Sequence, residues 1–347
     1  MWRSIAFLAL QALLTGMEVA PAYAAPPSQT ASSQAMPFQG QPYRIDSGNR
    51  FMTAVMIDGQ GPFSFVIDTA SSKSMIQGRV HAQLGLTRSQ PNDITVYSLN
   101  STATALPVKA SILSVAGQDI HGLTLGVLPP GRADTPGVDG ILGIDVLSRY
   151  FVVLDRGAMR LLLLAPGSPA AEQYRGWASV PLTPRPLKNI PVTFWYMTAH
   201  VSNRADGRGS VMRQSPMADA PYMVTPFTAL LDLGAGFSMM NWTAAAEFGA
   251  YAKDYHLPQA LQDFVRDALG TDGPAINFKN LTITLGARNW PDKSVLVADS
   301  DVFALFDLDR KPAIILGADL LRDNSLAIDF AGHRLFIGPT VSLPSEG

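Results

Sequence analysis

The residues best suited to chemistry are two aspartates, Asp68 and Asp232, each preceded by an apolar run and followed by small residues. The segment Ile67-Asp68-Thr69-Ala70-Ser71-Ser72-Lys73-Ser74 parallels Leu231-Asp232-Leu233-Gly234-Ala235-Gly236-Phe237-Ser238. One Asp in a turn after a strand is an ordinary structural feature, because its carboxylate accepts from turn N–H groups. Two such turns at equivalent places in a repeated chain carry a different meaning. Carboxylates brought within a few ångströms of each other do not both ionise, and hold one proton between them. One then serves as general base toward a water, and the other donates to a substrate carbonyl. Small neighbours let a backbone approach each turn closely.

Positioning two such turns requires a framework, and the sequence repeats that too. Ile141-Leu142-Gly143-Ile144-Asp145-Val146-Leu147 aligns without gaps on Ile315-Leu316-Gly317-Ala318-Asp319-Leu320-Leu321. At the same offset Asp155 meets Asp329, Arg160 meets Arg334 and Leu161 meets Leu335. Each half reads strand, Asp-centred turn, middle region, apolar-apolar-Gly. A unit this long occurring twice predicts a duplicated lobe rather than a solenoid. Short apolar or alternating runs such as residues 51–57 and 63–67, separated by Gly, Pro and Asn, predict strands.

Asp68-Thr69-Ala70 and Asp232-Leu233-Gly234-Ala235 resemble the Asp-Thr/Ser-Gly signatures of the pepsin and retropepsin-like aspartic proteases. Ile141-Leu142-Gly143 and Ile315-Leu316-Gly317 resemble that family's second signature, which crosses behind the catalytic turn. The likeness runs over residues 43–339 and is closest to bacterial retropepsin-like proteins with two fused units. It implies a mainly β, two-lobed acid-protease fold with minor helices. It also implies an endopeptidase that uses water as nucleophile, needs no cofactor, and closes a β-hairpin flap over an extended peptide. Asp68 and Asp232 would be the dyad, with Thr69, Ser71, Gly234 and Ala235 supporting it and Gly143 and Gly317 as the structural second signature. The flap would fall at residues 96–108, with Tyr97 as its candidate aromatic, although an ordinary strand tyrosine is the commoner role.

Three departures from the family pattern carry expectations. Ala70 stands where the family has Gly, a small change expected to be tolerated. Leu233 replaces the hydroxyl residue that bonds across the axis, so Thr69 is expected to find a backbone partner instead. Ser71 has a hydroxyl where Ala235 has none. A bond from that hydroxyl to Asp68 would make Asp68 ionise first and leave the shared proton on Asp232, giving activity nearer mild than strong acid. Asp145 and Asp319 are expected to cap turns or helix starts, and Asp155 and Asp329 to form turns.

The remaining organisation follows from composition. Arg3, the short apolar run 5–14 and the small-x-small site Ala22-Tyr23-Ala24 predict a secretory signal peptide over 1–24, hence periplasmic or secreted location and no membrane span once it is cut. Residues 25–41 form a flexible leader, 42–165 an N-terminal lobe, 166–191 an inter-lobe segment with six prolines, and 192–347 a C-terminal lobe. Residues 177–182 read as a strand that could open the second lobe, 203–225 as a long loop, and 243–270 as helical. There is no cysteine, which excludes disulfides and thiolate chemistry, and the net charge of −2 without a basic stripe speaks against nucleic acid. No histidine pair has metal-ligand spacing and no Gly-x-Ser-x-Gly motif occurs. The expected partner is a protein or peptide substrate, and the duplication makes a monomer sufficient. The rival readings are a pseudo-protease that binds a peptide or protein in the same cleft without cutting it, and a structural β-protein of the envelope.

Overall fold

A computed structural model describes residues 5–7, 40–99, 101–128, 137–187, 192–203, 224–250, 263–266, 271–298 and 300–341. The cleavage site at residues 22–24, the leader up to residue 39 and residues 204–223 of the expected loop lie outside them. Among the described residues the chain is mainly β, in one sheet of fourteen strands and one of eight, and no helix is long and apolar enough to cross a membrane.

The first sheet begins as the sequence pattern requires. Phe51–Ile57 and Gln60–Ile67 pair as a hairpin in which Ile57 faces Gln60. The two turn residues, Asp58 and Gly59, have φ of 48° and 76°, the left-handed pair that a two-residue hairpin turn needs. Gly140–Leu142 then runs parallel to Gln60–Ile67, with Ile67 opposite Leu142. Met75–Ile76 wedges between Gly140–Leu142 and Gln118–Val127. Thr102–Val115 pairs with Gln118–Val127 on one side and with Ile94–Tyr97 on the other. Ile5–Phe7 lies parallel beside Ile94–Tyr97.

The second sheet repeats this plan. Val224–Leu231 is joined in parallel by Ala313–Leu316, with Leu231 opposite Leu316. Met239–Met240 wedges between Ala313–Leu316 and Arg288–Val297, and Asp272–Leu285 pairs with Arg288–Val297. Apolar side chains of both sheets, among them Phe51, Phe65, Phe227, Leu281 and Leu316, form one continuous core cluster.

The sheets are linked by strands from distant parts of the chain. Phe151–Asp155 pairs with Arg160–Leu164 and with Asn324–Asp329, and Asn324–Asp329 pairs with Arg334–Thr340. The last two strands therefore complete the first sheet, although they follow the second in sequence. Ala178–Pro181 is a strand, but it does not open the second sheet. It pairs with Arg334–Thr340, where Val180 is buried opposite Leu335. The chain changes sheets at Leu182, since Thr183–Pro186 pairs with Thr193–Asn203. The helical expectation for 243–270 is also corrected. Trp242–Ala246 is a helix capped by the Asn241 side chain, but Asp263–Arg266 is a strand in a short hairpin with residues 272–275, where cross-strand pairing overrides helical composition. Residues 251–262 and 267–270 lie outside the described residues.

Candidate active site

Each aspartate sits where its strand ends. The Asp68 N–H donates to Leu142 O and the Asp232 N–H to Leu316 O, both at 3.0 Å, so each strand is pinned to its crossing partner just as the turn begins. Asp68 Oδ1 accepts from the N–H groups of Ala70 at 2.9 Å and Ser71 at 2.8 Å. Asp232 Oδ1 accepts from those of Gly234 and Ala235, both at 3.0 Å. On the far side of each turn, Ile144 N–H donates to Ser71 O at 2.9 Å and Ala318 N–H to Ala235 O at 2.7 Å. Asp68 is 0% exposed and Asp232 4%, so both carboxylates lie away from solvent.

One hydroxyl joins the two turns. Thr69 Oγ1 donates to Leu231 O at 2.8 Å and accepts from Leu233 N–H at 3.0 Å. Those two groups flank Asp232, so the residue after Asp68 is bonded on both sides of the other aspartate. Thr69 thus has the backbone partner expected of it. Leu233 is fully buried in the main apolar core, which gives its side chain a packing role in place of a reciprocal hydrogen bond.

Ser71 departs from expectation. Its hydroxyl donates to Lys73 O at 2.8 Å, and a serine has a single proton to give. Ser71 gives Asp68 its backbone N–H, which Asp232 matches with that of Ala235. The hydroxyl at 71 therefore supplies no reason for Asp68 to ionise first, and the mild-acid corollary loses its basis. Ala70 fits as expected. Neither it nor Gly234 has a left-handed φ, so a methyl at position 70 strains no backbone, and it is buried among apolar neighbours.

A second serine, which ends both copies of the turn segment, has a role that the sequence pattern alone does not assign. Ser74 Oγ accepts from Gly143 N–H at 3.0 Å and donates to Asp145 Oδ1 at 2.7 Å. Ser238 Oγ accepts from Gly317 N–H at 3.1 Å and donates to Asp319 Oδ1 at 2.9 Å. Each serine thus ties its turn to the crossing strand. The glycines make this approach possible: a Cβ at Gly143 would lie 2.7 Å from Lys73 C and 2.8 Å from Ser71 O, and one at Gly317 would overlap Phe237 backbone. Burial raises the pKa of Asp145 and Asp319 above the usual carboxylate range, while their serine hydrogen bonds pull the other way and lose. These two aspartates are structural, as are Asp155 and Asp329, which accept from Ala158 and Gly332 N–H in their turns.

Ile94–Tyr97 and Thr102–Val115 form a hairpin, with Tyr97 opposite Thr102 beside its tip. Tyr97 is partly buried and packs on the cluster that holds Ala70, Leu99, Ala235, Val302 and Phe303. Ser300 Oγ donates to Leu99 O at 2.6 Å, so the hairpin tip is attached to the second half of the chain. Among the described residues no three His, Asp or Glu side chains gather as a metal site.

A mainly β chain with an Asp turn bonded to a parallel strand that a glycine follows is consistent with the retropepsin-like fold. A family model described as aspartyl protease matches residues 53–146. That span holds the Asp68 turn, Tyr97 and the Gly143 crossing; Asp232 and Gly317 lie beyond it. Comparison with curated proteins gives no match. The family match supports an aspartic protease, a hydrolase with protein as substrate.

Two measurements probe this site. Thr69→Val leaves a buried carbonyl and a buried N–H unpaired, at about 1–3 kcal/mol each; Thr69→Ser, which keeps the hydroxyl, should restore most of the loss in urea unfolding. Raised pKa values in Asp145 and Asp319 mean that, as pH climbs from about 4, the unfolded chain releases protons that the folded chain still holds. Their contribution to stability should therefore fall with rising pH until the folded groups titrate. Unfolding midpoints against pH should show this decline flattened in the Asp145→Asn/Asp319→Asn double variant. An identical slope in the variant would refute it.

Proposed function

We propose that this chain is an exported aspartic endopeptidase of two fused retropepsin-like lobes, in which Asp68 and Asp232 share one proton. The observation that carries this reading is the Thr69 hydroxyl, bonded on both sides of Asp232. It sets the two turns against each other, and both aspartates have matching backbone donors. In this reading the ionised member takes a proton from a water as that water attacks the scissile carbonyl. The protonated member donates to the carbonyl oxygen, and the resulting diol collapses with a proton passed to the leaving amine. The backbone donors hold each inner carboxylate edge at a fixed angle, which is the pre-organisation that proton transfer needs.

The substrate is an extended peptide lying under the hairpin Ile94–Tyr97 and Thr102–Val115, and the role is processing of envelope or periplasmic proteins. Export rests on the signal pattern over residues 1–24. One chain supplies both turns, so a monomer suffices. The lobes are 42–165 and 192–347, linked by 166–191, with the strands Asn324–Asp329 and Arg334–Thr340 lent back to the first sheet.

The test compares the chain from residue 25 onward with its Asp68→Asn and Asp232→Asn variants on denatured periplasmic proteins across the acid-to-neutral range. Cleavage by the wild type should fall by about 10²–10⁴-fold in each variant. Cleavage that persists in both would overturn the dyad. A wild type that binds a pepstatin-type peptide and cuts nothing would make the cleft a binding site instead.

A further inference from the structure

The missing hydroxyl at Leu233 leaves a mechanical question. The Thr69 hydroxyl meets the Asp232 turn through two hydrogen bonds, both made by one oxygen. A tie at a different point of that turn would hold it from another side. The turn between Gln41–Ile45 and Phe51–Ile57 supplies one. Asn49 Nδ2 donates to Gly236 O at 3.1 Å, and its Oδ1 accepts from Arg322 Nη1. Gly236 lies four places after Asp232, and Arg322 caps the helix Ala318–Leu321 that follows Gly317. One side chain from the first half of the chain therefore touches both parts of the second half's framework, the Asp turn and the crossing segment.

The local build-up explains why this amide is aimed so well. Asp46 Oδ1 accepts from Gly48 N–H at 2.9 Å and Arg50 N–H at 2.8 Å, while Asp46 Oδ2 accepts from Arg50 Nε at 2.9 Å. This closes the turn and neutralises the buried Arg50. Asn49 has φ of 68°, a left-handed conformation that Asn tolerates better than most residues. A Cβ at Gly236 would overlap Gly48 O, so the glycine lets the two backbones meet.

We propose that Asn49 is a positioning residue for Asp232, a tie from the first half of the chain that holds both the Asp232 turn and the segment crossing behind it. The proposal rests on the reading of Asp232 as half of the dyad, and its test separates the two. Asn49→Gly keeps the left-handed backbone and removes the side chain. Asn49→Asp keeps the acceptor for Arg322 and loses the donor to Gly236 O. In both variants hydrogen exchange at Gly234 and Ala235 N–H should rise about tenfold or more, with Ala70 and Ser71 within about twofold of wild type. On a peptide substrate, kcat should fall about tenfold with KM nearly unchanged. Equal acceleration at both turns would reduce Asn49 to a general stabiliser, and no acceleration would remove it as a tie; either overturns the proposal. A KM effect with kcat intact would overturn it too. If the wild type cuts nothing, the dyad reading falls, while hydrogen exchange still decides whether Asn49 holds the turn.

Discussion

The site depends on one buried hydroxyl. Thr69 reaches from the first aspartate turn to the backbone on both sides of Asp232, and it does so away from solvent, where an unmade hydrogen bond is costly. Because the bond runs to peptide groups and not to another side chain, it tolerates leucine at the facing position. The interaction therefore constrains where the second turn sits more than which residues it contains. A dyad needs just this constraint, since coupling between carboxylates falls quickly as they separate.

Holding each turn in place is a task for the crossing strands. Gly140–Leu142 and Ala313–Leu316 run parallel to the strands that carry the aspartates, and each is followed by a glycine pressed against turn backbone. Ser74 and Ser238 lock that contact by accepting from the glycine and donating to a half-buried aspartate. The carboxyls of Asp145 and Asp319 are set in an environment that disfavours their charge, and close packing around the turns accounts for it. The same burial that makes these groups structural keeps water from competing with the turn hydrogen bonds.

Much of this is legible in the sequence because it rests on local rules repeated twice. The Asp turns, the Gly signature and the hairpin at Asp58-Gly59 have residue types that their backbone geometry demands. Ser74 and Ser238 were also there to be found, as identical residues at the same offset from each aspartate. What could not be read is what depends on distant partners. The Ser71 hydroxyl had two acceptors within reach, and only the folded turn selects Lys73 O. The return of Asn324–Asp329 to the first sheet and the pairing of Ala178–Pro181 with Arg334–Thr340 are non-local pairings without a local signal, while the strand at Asp263–Arg266 belongs to a hairpin whose composition reads as helical. Asn49 belongs with these, because its two partners are far along the chain and nothing near it in sequence points to them.

The central claim is that the two turns bring Asp68 and Asp232 close enough to share one proton. Neutron diffraction from deuterium-exchanged crystals at mildly acid pH tests it most directly. The account predicts a single deuterium in a hydrogen bond between one oxygen of Asp68 and one of Asp232, with the donors at Ala70, Ser71, Gly234 and Ala235 all occupied. Carboxylates separated by more than about 3.5 Å at their nearest oxygens, or each carrying its own deuterium, would contradict it.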